Sequence, residues 1–279
     1  MVDIKYSQNF YTNNGNLKRI MDSLNISPNG TVIDIGAGKG TITEILSKYS
    51  NDVIAYELDP KYYEILKEKY KDIPNVTVKN EDFLSSPLPS NQYKVFSNIP
   101  FSLTSDIVNK ITDASSNLVE AYLFVQKESA QRYIGKPINT QISSILSFKY
   151  DLNIVERFNS YDFEPIPSID IVLLSIKKKM VLEKGFELYR DYITYIFNQR
   201  NSNVVDTFKK LFTFNQIKYI QGYLKKNGYV KPSDISSKYY LEIFEYFKEN
   251  GSRYMNIVNG YYKRHLIQHM GREKVNRRR

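Results

Sequence analysis

Between residues 31 and 179, short runs rich in Val, Ile, Tyr and Phe alternate with helical patterns, and after Lys177-Lys-Lys179 only helical patterns remain. That alternation leaves few folds open, because parallel strands need a crossover and the crossover helices must cover the sheet they connect. An α/β domain is expected, with strands at 31–35, 53–58, 76–80, 93–97, 120–126, 152–158 and 168–177. Its helices are expected at 16–24, 41–49, 60–71, 105–115 and 127–149, the last broken near Gly135-Lys-Pro137. The final two strands follow one another without a helix, which predicts an antiparallel hairpin at one edge of a mixed seven-stranded sheet. Helices at 186–200, 204–212, 215–227, 233–250 and 254–271, punctuated by Gly228, Pro232 and Gly251, predict a second, all-helical domain. The expected division is 1–179 and 180–279, in keeping with a 279-residue chain too long for one growing core.

Charge is divided the same way. Residues 180–279 hold 19 Lys+Arg against 9 Asp+Glu, a net of +10, and the remainder of the chain is close to neutral at −1. A basic half joined to a neutral half predicts a surface for a polyanion, with a solvated helical face as the plain alternative. Lys177, Lys178, Lys179, Lys209, Lys210, Lys225, Lys226 and Lys231 are the expected phosphate contacts, and the tail 272–279 could add more. For Lys177 to Lys179 an exposed strand end is an equal reading. The absence of Cys removes disulfides, thiolate nucleophiles and Cys-ligated zinc from consideration. No apolar run reaches about 18 residues and the start is polar, so no membrane span is expected and a cytoplasmic location is.

The strongest local feature is Val32-Ile-Asp-Ile-Gly36-Ala-Gly38-Lys-Gly40, a strand running through a glycine turn into a helix. Glycines there let backbone approach a ligand at the carboxyl end of the first strand, where open α/β sheets bind cofactors. The spacing is neither the dinucleotide fingerprint nor a Walker loop, and a tight strand-to-helix turn would use glycine anyway. The second strand ends at Glu57, suited to both hydroxyls of a ribose. The third leads into Asp82-Phe83, an acceptor for an adenine amine followed by an apolar cover. Acids at successive strand tips describe an adenosine pocket without phosphate contacts, which points to S-adenosylmethionine rather than a dinucleotide.

The fourth strand ends in Asn98-Ile99-Pro100-Phe101. The N6 lone pair of adenine is delocalised into its ring and is a poor nucleophile. The Asn98 side-chain oxygen and the Ile99 carbonyl, with no amide on Pro100, are two acceptors able to hold both amine hydrogens and favour a pyramidal nitrogen. Phe101 would stack on the flipped base, at about 1 to 3 kcal/mol.

With these blocks in order, the chain resembles the rRNA adenine N6-methyltransferases, and among them the macrolide-resistance Erm methylases more than the housekeeping small-subunit enzymes. The resemblance runs from Ser7-Gln-Asn9-Phe10 through the glycine turn, Glu57-Leu-Asp59, Glu81-Asp82-Phe83 and Asn98-Ile-Pro-Phe101 to Phe163-Glu-Pro-Ile-Pro167. Ile99, and Lys210-Leu-Phe-Thr-Phe-Asn-Gln216 without a paired Arg-Arg-Lys, favour the Erm branch. The resemblance implies a Rossmann-like class I methyltransferase sheet with a C-terminal all-helical domain, acting as a monomer on 23S rRNA. It implies that Asn9 and the Tyr11 backbone border the methionine end of the cofactor and that Gly36 and Gly38 line its centre. Glu57 would take the ribose, Asp82 and Phe83 the adenine, and Asn98 both cofactor and target. It also sets Phe163 against the target base opposite Phe101. Read without the resemblance, Phe163 is a hairpin core residue, and Tyr11 departs from the usual leucine. The competing readings are a small-subunit methylase and a nucleic-acid-binding relative without activity. His265 and His269 have metal-compatible spacing, but no carboxylate accompanies them and no metal is expected.

Overall fold

The computed structural model describes residues 9–24, 26, 28–180 and 184–276, with side chains to residue 268. Ser7 and Gln8 of the N-terminal motif, the His269 side chain and the side chains of the basic tail lie outside the described residues. The chain divides into two compact units, 1–130 with 151–178 and 131–150 with 179–279. The second unit thus draws in a stretch from within the first 179 residues.

The first unit is built on strands β1 (Thr31–Ile35), β2 (Asp52–Tyr56), β3 (Val76–Lys79), β4 (Tyr93–Asn98), β5 (Leu118–Gln126), β6 (Tyr150–Arg157) and β7 (Ile171–Lys178). They form one seven-stranded sheet in the order β3-β2-β1-β4-β5-β7-β6. Strands β1 to β5 pair parallel, and β7 pairs antiparallel to β5, with Gln126 opposite Ile171. The central strands are apolar along nearly their whole length because both sheet faces are covered. Strand β6, by contrast, alternates buried and exposed residues, as an edge strand with one wet face must.

Helices α1 (Asn14–Leu24), α2 (Thr41–Tyr49), α3 (Pro60–Tyr70) and α4 (Thr104–Ile111) complete this unit, and α1 buries Leu17, Ile20 and Met21 in the same core as Tyr122, Phe124 and Leu173. Asp59 caps α3 through the amide of Lys61 at 2.8 Å. A second, two-stranded pairing joins Phe10–Tyr11 to Phe163–Glu164 antiparallel. It is reinforced by the Thr12 amide donating to the Asp162 carbonyl at 2.8 Å and Asn13 Nδ2 to Asp162 Oδ1 at 2.9 Å. Two motifs about 150 positions apart become neighbours here.

The expected helix over 127–149 is two pieces, α5 (Lys127–Ile134) and α6 (Gln141–Leu146), because Gly135 turns the chain at φ +70 and Thr140 starts a new helix with a capping box. The second unit continues with α7 (Phe186–Phe197), α8 (Val204–Phe208), α9 (Phe214–Lys226), α10 (Ser237–Asn250), α11 (Met255–Val258) and α12 (Tyr261–Asn276). The helix expected over 254–271 is divided at Gly260, φ +75, and the cause is a side chain from another helix. Buried Asp191 of α7 accepts the amides of Gly260 at 2.7 Å and Tyr262 at 2.8 Å, satisfying donors at the start of α12. The abundant tyrosines find their use in this core, where Tyr189 and Tyr192 pack on Phe244 and Phe247. Among the described residues no helix is long and apolar enough to cross a membrane.

Candidate active site

Strand order reverses between β1 and β4, with β2 and β3 on one side and β5 on the other, so the carboxyl ends of β1 and β4 border a crevice. Their ladder runs only to Ile33 opposite Val95. Beyond it the Ser97 hydroxyl takes over, accepting from the Ile35 amide at 2.9 Å and donating to the Ile35 carbonyl at 2.7 Å. One small polar side chain thereby satisfies both backbone groups while the strand tips part.

The glycine turn leaves β1 at Gly36, φ +71, where a Cβ would stand 3.6 Å from the Pro100 ring. This close approach separates two cavities that share Gly36 and Pro100. One is bordered by Asn9, Tyr11, Asp34, Asn98, Ile99 and Phe101. The other is bordered by Tyr56, Glu57, Asp82, Phe83, Leu103 and Ile107. Gly38, φ +54, borders neither, since Phe10 lies over it and a Cβ there would be 2.7 Å from that ring. Its amide instead donates to Glu57 Oε2 at 2.7 Å, and the Asp59 amide donates to Glu57 Oε1 at 2.8 Å. Glu57 therefore ties the turns after β1 and β2 together, and each carboxylate oxygen keeps a further lone pair.

At the far end, Asp82 accepts from the Leu84 amide at 2.9 Å and the Ser85 hydroxyl at 2.8 Å, shaping a tight turn. Phe83 is buried, edge-on to Tyr56 at 5.3 Å. Lys110, from α4, crosses to this turn and donates to the carbonyls of Phe83 at 2.6 Å, Leu84 at 2.9 Å and Ser86. Nothing in the sequence pattern marked Lys110, since its partners are backbone oxygens.

Asn98 Nδ2 donates to the Asn9 carbonyl at 2.6 Å, which orients the amide and leaves Oδ1 as an acceptor. Among the described residues neither Asn98 Oδ1 nor the Ile99 carbonyl receives a hydrogen bond. Two acceptors without a described partner thus belong to consecutive residues that border the first cavity, followed by half-buried Phe101 at the start of a single turn of 3₁₀ helix.

Phe163, like Gly38, departs from the place expected for it. It is 2% exposed and packs edge-on against Tyr11 at 5.1 Å and Phe158 at 5.9 Å, with Phe124 stacked on Phe158 at 4.5 Å. The short pairing with Phe10–Tyr11 alternates its side chains, sending Phe163 into the core while Glu164 stays exposed. Phe163 therefore borders neither cavity. Tyr11 shares this core, where its hydroxyl accepts from Asn16 Nδ2 at 2.9 Å and burial pushes its phenol up to about 12.

Asp34 was not among the expected site residues, yet it borders the first cavity. It is 1% exposed with the Thr43 hydroxyl donating to Oδ2 at 2.7 Å, and burial pushes its carboxyl up to about 7 despite that bond. The available signal was an acid inside the apolar run Val32-Ile-Asp-Ile, where only a partnered carboxyl is tolerated.

The basic residues differ in how free they are. Lys209 pairs with Asp206 at 2.8 Å and Lys210 reaches Gln199 at 3.5 Å. Lys179 Nζ donates to the Ser147 carbonyl at 2.6 Å, Lys177 lies 5.6 Å over the Tyr122 ring and Lys178 is half-buried. Lys225, Lys226 and Lys231 are exposed at the end of α9 and just beyond it. His265 stacks on Tyr261 with ring centroids 6.2 Å apart.

A doubly wound sheet with an antiparallel β7, a glycine turn at its reversal point and acids at the tips of β2 and beyond β3 defines a class I methyltransferase. Residues 2–249 match the ribosomal RNA adenine dimethylase family, and the chain belongs to it. It is thus an rRNA adenine N6-methyltransferase that draws its methyl group from S-adenosylmethionine. Among curated relatives, an rRNA adenine N-6-methyltransferase of Lysinibacillus sphaericus is 32% identical, over 88% of this chain and 97% of that relative. A ribosomal RNA small subunit methyltransferase A of Mycoplasmopsis pulmonis is 31% identical, over 80% and 89%. In fold the chain is similar to the 23S rRNA methyltransferase ErmE, with a TM-score of 0.77 at 22% identity, covering 86% of this chain and all of that one. It is similar also to a dimethyladenosine transferase of Plasmodium falciparum, with a TM-score of 0.69 at 19% identity, covering 87% and 98%.

Proposed function

We propose that the chain methylates N6 of one adenine in 23S rRNA, the modification that in Erm relatives blocks macrolide, lincosamide and streptogramin B binding. The observation that carries the chemistry is the pair of acceptors without a described partner, Asn98 Oδ1 and the Ile99 carbonyl, of consecutive residues that border a cavity meeting the glycine turn. Held between them, the two hydrogens of an exocyclic amine would turn the nitrogen lone pair out of conjugation and aim it along one direction. Positioning and exclusion of water then do most of the work, and no strong base is needed. Phe101 would cover the extruded base, and Pro100 keeps the Ile99 carbonyl clear of a competing amide.

The residues fit S-adenosylmethionine. Gly36 lacks a side chain at the narrowest point, Glu57 keeps lone pairs for ribose hydroxyls after binding two amides, and the second cavity has apolar walls in Phe83, Leu103 and Ile107. Asn9, the Tyr11 backbone and Asn98 would border the methionine end, Asp82 and Phe83 the adenine. When bound, this group supplies a methyl already activated on a sulfonium sulfur.

Preference for the large subunit rests on Ile99 and on the 210–216 segment without a paired Arg-Arg-Lys. Lys225, Lys226 and Lys231 would hold phosphates, with base identity checked after flipping. The enzyme is taken to act as a monomer in the cytoplasm. Primer extension across both rRNAs from cells expressing the protein tests this directly. Where two methyl groups are added and the base can no longer pair, a stop at a single 23S adenine is expected; a single methyl group is read through and is found instead by digesting that segment to nucleosides. Modification confined to 16S rRNA would overturn the assignment in favour of the small-subunit reaction.

A further inference from the structure

Helix α9 carries two strongly exposed aromatic rings, on either side of its solvent face. Phe214 is 75% exposed and Tyr219, 6.1 Å from Tyr246, is 74% exposed, whereas Tyr223 stands half a turn of the helix from Phe214 and is stacked on Tyr239 at 3.6 Å. Buried Ile217, Ile220 and Leu224 already anchor the opposite side of the helix. Large rings left in water on a helix that has satisfied its packing call for a partner.

The charge around these rings says which kind. From 213 to 231 there are four lysines, Lys218, Lys225, Lys226 and Lys231, and no acid. Among the described residues none of these four is ion-paired, and Lys218 Nζ lies 4.7 Å over the Phe214 ring. The acidic neighbours are Glu242 of α10, beside Tyr223, and Asp234, which accepts the amides of Val230 at 3.0 Å and Lys231 at 2.7 Å beyond the end of α9. Between Lys218 and Tyr223 stands Gly222, where an added Cβ would meet nothing within 4 Å. Glycine inside a helix is less favourable than alanine by about 1 kcal/mol, and no internal packing asks for it here. It leaves the helix surface open to a close approach.

We propose that the Phe214, Tyr219 and Gly222 face of α9 binds an unpaired stretch of RNA. The two rings stack on splayed bases and Lys218, Lys225 and Lys226 meet the phosphates on either side. This rests on the RNA-methyltransferase reading above and extends it to a second place on the RNA, distinct from the base that is modified. Rings and lysines on one face suit single strands, because every base offers a flat face while a duplex hides its own.

The test compares two probes on the full-length protein, an RNA hairpin with a loop of unpaired purines and a fully paired duplex of equal length. Phe214→Leu with Tyr219→Leu keeps apolar bulk and removes stacking. Hairpin affinity should fall at least tenfold, with duplex affinity, melting temperature and S-adenosylmethionine binding unchanged. Phe214→Trp should keep hairpin affinity. Gly222→Leu should raise the melting temperature while weakening hairpin binding, opposite signs that a structural role would not produce. Unchanged hairpin affinity in the double variant, or an equal loss on both probes, overturns the proposal. So does a wild-type dimer that the double variant converts to monomer with RNA binding intact, which would make the face a self-association surface. Should the wild type bind neither probe, the RNA reading itself fails, a result separable from loss in the variants alone.

Discussion

Replacing Lys110 by methionine keeps the side-chain stem and removes the ammonium that holds the turn at 83–86. In the folded protein that ammonium donates to three carbonyls of one turn, those of Phe83, Leu84 and Ser86, and lies 5.0 Å over the Phe83 ring. A hydrogen bond to a charged group contributes about 1.5 to 3 kcal/mol, so three sum to several kcal/mol before costs. Two costs reduce this. Burial lowers the Lys110 ammonium below the ordinary lysine value, with Asp82 pulling the other way, and water can reach the half-buried carbonyls once the ammonium is gone. What remains is about 1.4 kcal/mol, a factor of about ten in binding. Because Phe83 and Asp82 line the second cavity and the acceptors of Asn98 and Ile99 line the first, the loss should fall on cofactor affinity. Isothermal titration should give a Kd for S-adenosylmethionine raised about tenfold, with kcat at saturating cofactor within about twofold, since only uniform binding is removed. Lys110→Arg should recover part of the affinity. An unchanged Kd with a fallen kcat would refute the reasoning.

Other consequences are simpler to state. Asn98→Ala should abolish methyl transfer to rRNA while cofactor binding stays measurable by titration; retained turnover would remove its role in holding the amine. Asp34, with a folded pKa of about 7 against an ordinary 3.8, binds its proton more tightly in the native state. Native stability therefore falls as pH rises from about 4 to about 7, by up to about 1.4 kcal/mol per pH unit from this group. Urea unfolding at pH 5 and pH 7 should show that loss in the wild type and a smaller one in Asp34→Asn. Charge reversal at Lys225, Lys226 and Lys231 together should weaken RNA binding and flatten its dependence on salt. Equal affinities and equal slopes by filter binding would deny that surface its role.

Much of this molecule is written locally. A buried parallel strand needs Val and Ile on both faces, a strand-to-helix turn at a crevice needs glycine, and an amide before Ile-Pro-Phe stands out on any reading. The strands, the glycine turn and Asn98 were legible for that reason, as was the excess of positive charge after residue 179. Other features depend on partners that the chain brings from far away. Lys110 acts through backbone oxygens, which every residue possesses, so no pattern of side chains announces it. Asp191 divides the last helix from 69 residues upstream of Gly260. The fate of Phe163 was decided by its pairing with Tyr11, because in a two-residue strand the register alone chooses which side chain goes inward. Ser97 looked like any strand serine until the sheet order set it beside Ile35. Periodicity and turn chemistry report what a residue does to its near neighbours in the chain. Where a carboxylate, an ammonium or an aromatic ring finds its match is a matter of which segments meet, and only the assembled sheet and helices decide that.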